Sequence, residues 1–326
     1  MDETLENKII RLAGASHIIN TDELQALWSN YGSIRRYQIA GGKYARVIIK
    51  QVSLPDKNTH PRGWNTNLSH LRKVQSYKIE TQWYRQYSEL CDQNCRVPQF
   101  YDSEQSDHET LILLEDLDDS GFPKRLKHAT LEQMDACLRW LAYFHARFMG
   151  YAPANLWPCG TYWHLNTRPD ELEALEDKPL KEAAPKIDEI LTNCPFQTLV
   201  HGDAKLANFC FSENGLSVAA VDFQYVGGGC GMKDVAYFIG SCLSENDCER
   251  DTERLLNSYF HHLKRAMSYY SLDLDSEQIE TSWRPLFAYA WADFHRFVKG
   301  WSPDHWKIHS FSERITKSVI EELSSQ

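Results

Sequence analysis

The stretch Leu199–Phe211, LVHGDAKLANFCF, decides how this chain is read, together with VAAVDFQ at Val218–Gln224. His201, Gly202, Asp203, Lys205 and Asn208 fall on a loop between short apolar runs, and Asp222 follows fourteen residues after Asn208. Phosphoryl transfer asks few groups of a protein: a carboxylate to orient and deprotonate the attacking hydroxyl, oxygen ligands for magnesium, and a cation on the phosphates. The two segments hold each of these. Asp203 would be the base, Asn208 a neutral amide ligand of the metal, and Asp222 the anionic ligand bridging metal and phosphates. Lys205, two residues from the base, would meet charge on the moving phosphoryl group. An isolated GD or DF usually does no more than close a hairpin. Here that reading has to account for an ordered HGDx4N, an apolar strand, a reverse turn and then VDFQ, and phosphotransfer accounts for all of them.

Working outward, the short runs TLV, NFCF and VAAV between Thr198 and Val226, punctuated by HGD, ENG and DF, predict small β-hairpins carrying loops. Towards the N-terminus, KYARVIIKQV (Lys43–Val52) and ETLILL (Glu109–Leu114) are apolar and β-rich and predict strands. Between them, Leu71, Val74, Ile79, Trp83 and Tyr87 recur at helical spacing without Gly or Pro, which predicts one long amphipathic helix over Leu71–Leu90. The polar tract EDLDDSG, Glu115–Gly121, is the best linker. After it helices dominate: Thr130 opens TLEQ, a capping-box pattern, and Met134, Cys137, Leu138, Leu141, His145 and Phe148 share one face. His145 therefore reads as a core histidine, placed to hydrogen-bond the loop around Asp203. Residues from about Asp247 to Gln326 are again helical and rich in aromatics.

Composition limits the partners. The chain has 326 residues, 42% hydrophobic and 25% charged, which suits an ordinary globular protein of two domains or two lobes. Its formal charge is −10, without a Lys/Arg-dense block, so nucleic acid and anionic membranes are poor partners, whereas a nucleotide held by local geometry and a divalent metal is not excluded. No run of residues is apolar enough for a membrane span, and MDETLENKII carries acids where a signal peptide would be basic and then apolar. A soluble, cytoplasmic protein is expected. Nine cysteines without a CxxC pair predict free thiols and no structural zinc.

These motifs resemble the kinase-like phosphotransferases that include aminoglycoside phosphotransferases and choline kinases, and most closely the ecdysteroid-kinase-like group. The resemblance spans most of the chain: VIIK (Val47–Lys50), LRKVQSYKIETQWY (Leu71–Tyr84), LLEDL (Leu113–Leu117), LAYFHA (Leu141–Ala146), HGDAKLAN and VDFQ. It implies an α+β, bilobal protein-kinase-like fold. A small N-terminal lobe, residues 1–114, would hold an antiparallel sheet and one long helix. Residues 115–120 would form a hinge, and 121–326 a larger, mainly helical lobe. It further implies ATP and Mg2+ as cosubstrate and metal. Lys50 would hold the α- and β-phosphates and Glu80 would fix that lysine, since a flexible ammonium needs an anchoring carboxylate to act as a placed charge. Main-chain groups of Glu115 and Leu117 would meet the adenine edge. Asp234 would brace the loop around Asp203. Gly41 and Gly42, in AGGK, offer a glycine turn that could cover the phosphates, or a plain hairpin turn. Gly202 stands where protein kinases have arginine, so no receiver for a phosphorylated activation loop is evident, and the site is expected to assemble without phosphorylation.

The acceptor would be a hydroxyl of a small molecule. LFAYAWADFHRFVKGWSPDHW (Leu286–Trp306) gathers aromatics at helical spacing that are usually core, yet Trp291, Asp293 and Trp301 are also candidate acceptor contacts. An amino alcohol, a steroid-like alcohol and an amino sugar all fit this reading. The rival classes are a non-catalytic nucleotide-binding pseudokinase, which would typically have lost a base or metal ligand, and a metal-assisted hydrolase using Asp203 and His201, for which no nucleophile arrangement is evident.

Overall fold

The computed structural model describes residues 3–27, 31–53, 67–106 and 109–325. Strand β3 (Arg46–Ser53) shows how the N-terminal lobe is organised, because its alternating side chains serve two different surfaces. Val47 and Ile49 point to one face, where Tyr37, Ile39, Leu111 and Leu113 join them and helix α1 (Leu5–Ala13) closes over them with Ile9 and Ala13. Ile48, Lys50 and Val52 point to the other. The sheet is antiparallel, and it also contains β1 (His17–Ala26), β2 (Gly32–Ala40), β4 (Phe100–Gln105) and β5 (Glu109–Glu115), in the order β1-β2-β3-β5-β4. Lys50 pairs across to Ile34 on β2 and to Ile112 on β5, so it sits on the central strand.

Helix α2 (Asn67–Gln86) packs beneath the second face. It is the long helix expected from the sequence, ending four residues earlier than Leu90, with Ser88–Leu90 as a single 3-10 turn. Its Trp83 is fully buried and stacks on Phe223 of the VDFQ segment, ring centroids 4.5 Å apart, with Phe144 and Phe148 against its other edges. Aromatic burial of this kind dominates core energetics, so the N-terminal lobe is fastened to the second lobe through α2.

The second lobe is mainly helical. Helix α3 (Leu131–Arg147) begins with the anticipated capping box: Gln133 N–H donates to Thr130 Oγ1, and Thr130 N–H donates to Gln133 Oε1. Helices α4 (Pro169–Glu173) and α5 (Lys178–Thr192) follow. Short strands come next, β6 (Thr198–Val200) pairing with β9 (Gly227–Gly229), and β7 (Phe209–Phe211) pairing with β8 (Val218–Ala220). Helices α6 (Met232–Cys242), α7 (Glu245–Tyr269), α8 (Ser276–Trp283), α9 (Leu286–Trp301) and α10 (Ser310–Ser324) complete the fold. The fold is the α+β, bilobal kinase-like one that the motifs imply. All nine cysteines are free, and no described helix is long and apolar enough to cross a membrane.

Candidate active site

A cleft of about 750 Å3 opens between the sheet and the helical lobe, a size suited to a small-molecule ligand. Lys50, Glu80, Glu115, Leu117, Asp203, Lys205, Asn208 and Asp222 all line it. Several elements bring them together: β3 carries Lys50, α2 carries Glu80, the end of β5 and the segment after it carry Glu115 and Leu117, and the β6-to-β7 loop and the segment after β8 carry Asp203, Lys205, Asn208 and Asp222.

Lys50 is buried, and its ammonium donates to Glu80 Oε1 at 2.9 Å and to Asp222 Oδ1 at 3.0 Å. One cation thus serves two carboxylates from opposite lobes. Their charges divide unequally. Burial pushes the Glu80 carboxyl up to about 7 against the pull of Lys50. Asp222, although also desolvated, is held far below the usual carboxylate range by Lys50, Lys205 and Lys73 together. Lys50 itself keeps its proton more firmly than an ordinary lysine, because Asp222 and Glu80 outweigh its desolvation.

Asp222 has φ +69°, a left-handed conformation that Asp tolerates better than most residues but at a cost. That backbone turn lets Asp222 leave β8 and face the cleft while the next residue, Phe223, enters the core. Gln224 then donates from Nε2 to Asp222 Oδ1 at 2.6 Å.

The loop around Asp203 is held from behind. Asp234, near the start of α6, accepts from the backbone N–H of His201 at 2.6 Å and of Gly202 at 2.9 Å. His145 of α3 lies 3.1 Å from the same carboxylate through Nε2 and 2.8 Å from Tyr259 Oη through Nδ1. His145 is therefore a core residue that supports the loop through Asp234. Gly202 has φ +79°, and a Cβ there would lie 2.1 Å from the Tyr225 carbonyl oxygen, so only glycine fits.

Asp203 is consequently fixed with its carboxylate towards the cleft. Lys205 Nζ donates to Oδ2 at 2.8 Å, Asn208 Nδ2 to the same oxygen at 3.1 Å, and Tyr237 Oη to Oδ1 at 3.1 Å. Because Asn208 spends its amide N–H groups on Asp203, its Oδ1 is left as an acceptor, and no donor among the described residues reaches it. The same is true of Asp222 Oδ2. Two hard oxygen donors, one neutral and one anionic, fit a magnesium ion that keeps several water ligands.

The remaining expected residues divide. At the end of β5, Glu115 donates its N–H to the Gln99 carbonyl at 2.9 Å, and its carboxylate accepts from Arg96. Just after it, Asp116 and Asp118 accept from the Arg36 guanidinium of β2. Leu117 faces an apolar slot formed with Ile34, Ile48, Pro98, Leu114 and Val221. Trp301 lines the opposite end of the cleft.

Gly41 and Gly42 are not brought to the cleft. They form the turn between β2 and β3, while the cleft lies at the other end of the sheet, where Ala26 pairs with Ser33. A Cβ on Gly41 would strike Ser16, and one on Gly42 would crowd Gly14, so these glycines permit close packing of the sheet on the end of α1. Trp291 and Asp293 also stay out of the cleft. Trp291 donates to Ser312 Oγ in the α9–α10 packing. Asp293 is buried, bound to Arg296 at 2.8 Å and to Trp163 Nε1 at 2.9 Å.

The structure adds residues that the motifs did not single out. Tyr237, Tyr162, Phe297 and Arg168 line the end of the cleft near Trp301, with Arg168 stacked over Phe297 at 5.2 Å and bonded to Glu171 at 3.0 Å. Arg72 donates to the Thr167 carbonyl at 2.7 Å, and Lys73 donates to Gln224 Oε1 at 3.0 Å.

Comparison with known proteins agrees with this geometry. Among solved structures, an ethanolamine kinase from Plasmodium vivax is similar over 92% of this chain and 82% of its own, at 12% identity and a TM-score of 0.51. A microcompartment-associated aminopropanol kinase is similar over 92% and 93%, at 14% identity and a TM-score of 0.50. At such identities the likeness speaks for the fold. A search of curated proteins gives no match. Residues 44–155 and 161–271, well over half the chain, match the ecdysteroid kinase-like family. The chain belongs to that family, one of the kinase-like small-molecule phosphotransferases.

Proposed function

We propose that this protein transfers the γ-phosphoryl group of ATP, with Mg2+, to a hydroxyl of a small molecule. The observation that supports the reading most is the meeting of Lys50, Glu80, Asp203, Asn208 and Asp222 on one cleft, drawn from both lobes. In this reading residues 1–114 form the nucleotide-binding lobe, 115–120 the hinge, and 121–326 the catalytic and acceptor-binding lobe. The slot beside Leu117 takes the adenine, with main-chain groups at Glu115 and Leu117 meeting its edge. Lys50, steadied by Glu80, holds the phosphates. Asn208 and Asp222 hold the metal, which when bound neutralises charge on the phosphates. Asp203 orients the acceptor hydroxyl and takes its proton, and Lys205 faces the moving phosphoryl group. On this reading the protein works in the cytoplasm, where structural disulfides are rare.

The acceptor end of the cleft favours one of the three classes. Beyond Asp203, the residues that line it include Tyr162, Tyr225, Tyr237, Phe297 and Trp301, with Arg72 and Arg168 among the charged groups. Glu171 is engaged by Arg168 and Asp293 by Arg296, and neither lines the cleft. A cationic amino sugar or amino alcohol would meet arginines there without a free carboxylate. An uncharged alcohol with a broad apolar body, of steroid-like type, suits the aromatic wall.

The test is a panel of uncharged, cationic and anionic alcohols incubated with labelled ATP and scored for phosphorylated product. Phosphorylation of uncharged apolar alcohols is expected, and Asp203→Asn should abolish it while nucleotide still raises the melting temperature. Transfer by Asp203→Asn at the parent rate would reject the base assignment.

A further inference from the structure

Next to Asp234, and facing away from the cleft, Lys233 poses a separate problem. Its side chain is 1% exposed, and fully buried lysines almost always have an acidic partner. Among the described residues Lys233 forms no ion pair with a carboxylate. Its nearest polar contact is the Cys159 sulfur, 3.0 Å from Nζ. Of the acids in the neighbourhood, Asp293 is bonded to Arg296 and Trp163, while Asp188 lies 3.4 Å from the His164 ring without a hydrogen bond; both act on Lys233 only through space. The surrounding acids hold the Lys233 proton against the cost of burial, yet the one group its nitrogen touches is a thiol and not a carboxylate.

A metal does not resolve it. Cys159, His164 and Asp188 do bring ligand atoms within 4.8 Å of one another, but the lysine charge beside the sulfur opposes a divalent cation.

We infer that Cys159 and Lys233 form an oxidative cross-link, a covalent bond between the cysteine sulfur and the lysine nitrogen. Peroxide is the oxidant. Cys159 is partly buried and Lys233 fully so, and the two meet with Nζ 3.0 Å from the sulfur. Burial pushes the Cys159 thiol up and Lys233 beside it offsets only part of this, so it is the 3.0 Å approach of the two atoms that pairs them. In the first step the sulfur takes one oxygen from hydrogen peroxide to give the sulfenic acid, and water leaves. In the second the Lys233 ammonium gives a proton to the sulfenic hydroxyl, which departs as water. The freed nitrogen lone pair forms the S–N bond, and the nitrogen then releases one further proton to solvent. One peroxide is consumed, two waters are made, and the protein loses two hydrogens and the lysine's charge.

The bond would join two segments that border the active site. Cys159 begins the stretch in which Tyr162 N–H bonds the Gly202 carbonyl at 3.1 Å, and Lys233 adjoins the aspartate that holds the same loop. Oxidation is therefore expected to raise the melting temperature of the whole protein by a few degrees.

The experiment treats the purified full chain with a small excess of hydrogen peroxide, digests it without reductant and maps peptides by mass. A joined pair of peptides containing Cys159 and Lys233, lighter by two hydrogens than their sum, is expected. It should disappear with dithiothreitol and be missing in Cys159→Ser and in Lys233→Met. A pair that keeps one oxygen between sulfur and nitrogen, made with a second peroxide, supports the same pairing. Cys159 found as sulfinic or sulfonic acid with the Lys233 peptide unmodified would overturn the inference. So would the same cross-link surviving in Cys159→Ser. The wild-type map decides the matter even if a variant folds poorly.

Discussion

Tyr237 of α6 donates its phenolic hydrogen to Asp203 Oδ1 at 3.1 Å, which leaves the opposite oxygen to Lys205 and Asn208. The tyrosine is buried, so water does not replace it easily. In Tyr237→Phe the carboxylate keeps its charge but loses one of the bonds that fix its direction. Hydrogen bonds to charged groups contribute about 1.5–3 kcal/mol, so turnover should fall roughly ten- to hundredfold. Nucleotide affinity, measured by calorimetry, should stay as in the parent. A fall in nucleotide affinity of the same size would mean that Tyr237 supports the lobe and not the base.

Lys50 neutralises two carboxylates, and removing it strands both. Lys50→Met should destabilise the protein by about 3–5 kcal/mol, the usual result of breaking a buried ion pair. Lys50→Met combined with Glu80→Leu should recover part of that loss, because the deepest uncompensated charge is then gone. Urea unfolding of the parent, single and double variants measures the recovery, and a purely additive double variant would contradict it.

Trp301 and Asp293 sit on the same helix but have different surroundings. Trp301→Ala should raise the acceptor KM several-fold and leave the nucleotide KM unchanged, since Trp301 borders the cleft. Asp293→Asn should leave both constants near the parent values while lowering stability by a few kcal/mol, because Arg296 is then buried without its counter-charge. Steady-state kinetics and thermal melting together separate the two.

Lys307 supplies a pH test. Its ammonium lies 4.7 Å over the Tyr237 ring and 5.0 Å over Phe294, and burial lowers its pKa to about 8 from an ordinary 10.5. The charged or titratable groups bearing on it are Cys242, Asp203 and Lys205. The unfolded chain therefore binds the Lys307 proton more tightly than the folded one, and this residue's contribution to stability rises with pH between about 8 and 10.5. Subtracting the unfolding free energies of Lys307→Met from those of the parent should show that rise, and a flat difference would contradict it.

Much of the site was legible because phosphotransfer imposes order on a few short segments. HGDx4N and VDFQ are tied to backbone turns that only certain residues permit, Gly202 by its collision with Tyr225 and Asp222 by its positive φ. Lys50 and Glu80 were legible only through family resemblance, since a lysine in an apolar strand and an acid on a helix are ordinary features when read alone. The N-terminal strands left less trace. β1 is an edge strand, exposed at nearly every position, so no alternation of apolar and polar residues marks it. The glycine turn was misleading because Gly41 and Gly42 signal a tight turn without saying which end of the sheet it occupies. Of the candidates on α9, Trp301 borders the cleft while Trp291 and Asp293 pack in the core. α9 is buried on almost all sides, and periodicity cannot tell which face of such a helix reaches a cleft. Tyr162 and Tyr237 are lone tyrosines far apart in sequence, and only folding brings both beside Asp203.

Asp234 has one further implication. By holding the two amides next to Asp203 from within the core, it keeps the working geometry standing at all times, with no covalent trigger required to build it. Under the proposed function, output in the cell would follow how much protein is made and how much acceptor arrives, and not phosphorylation of this loop.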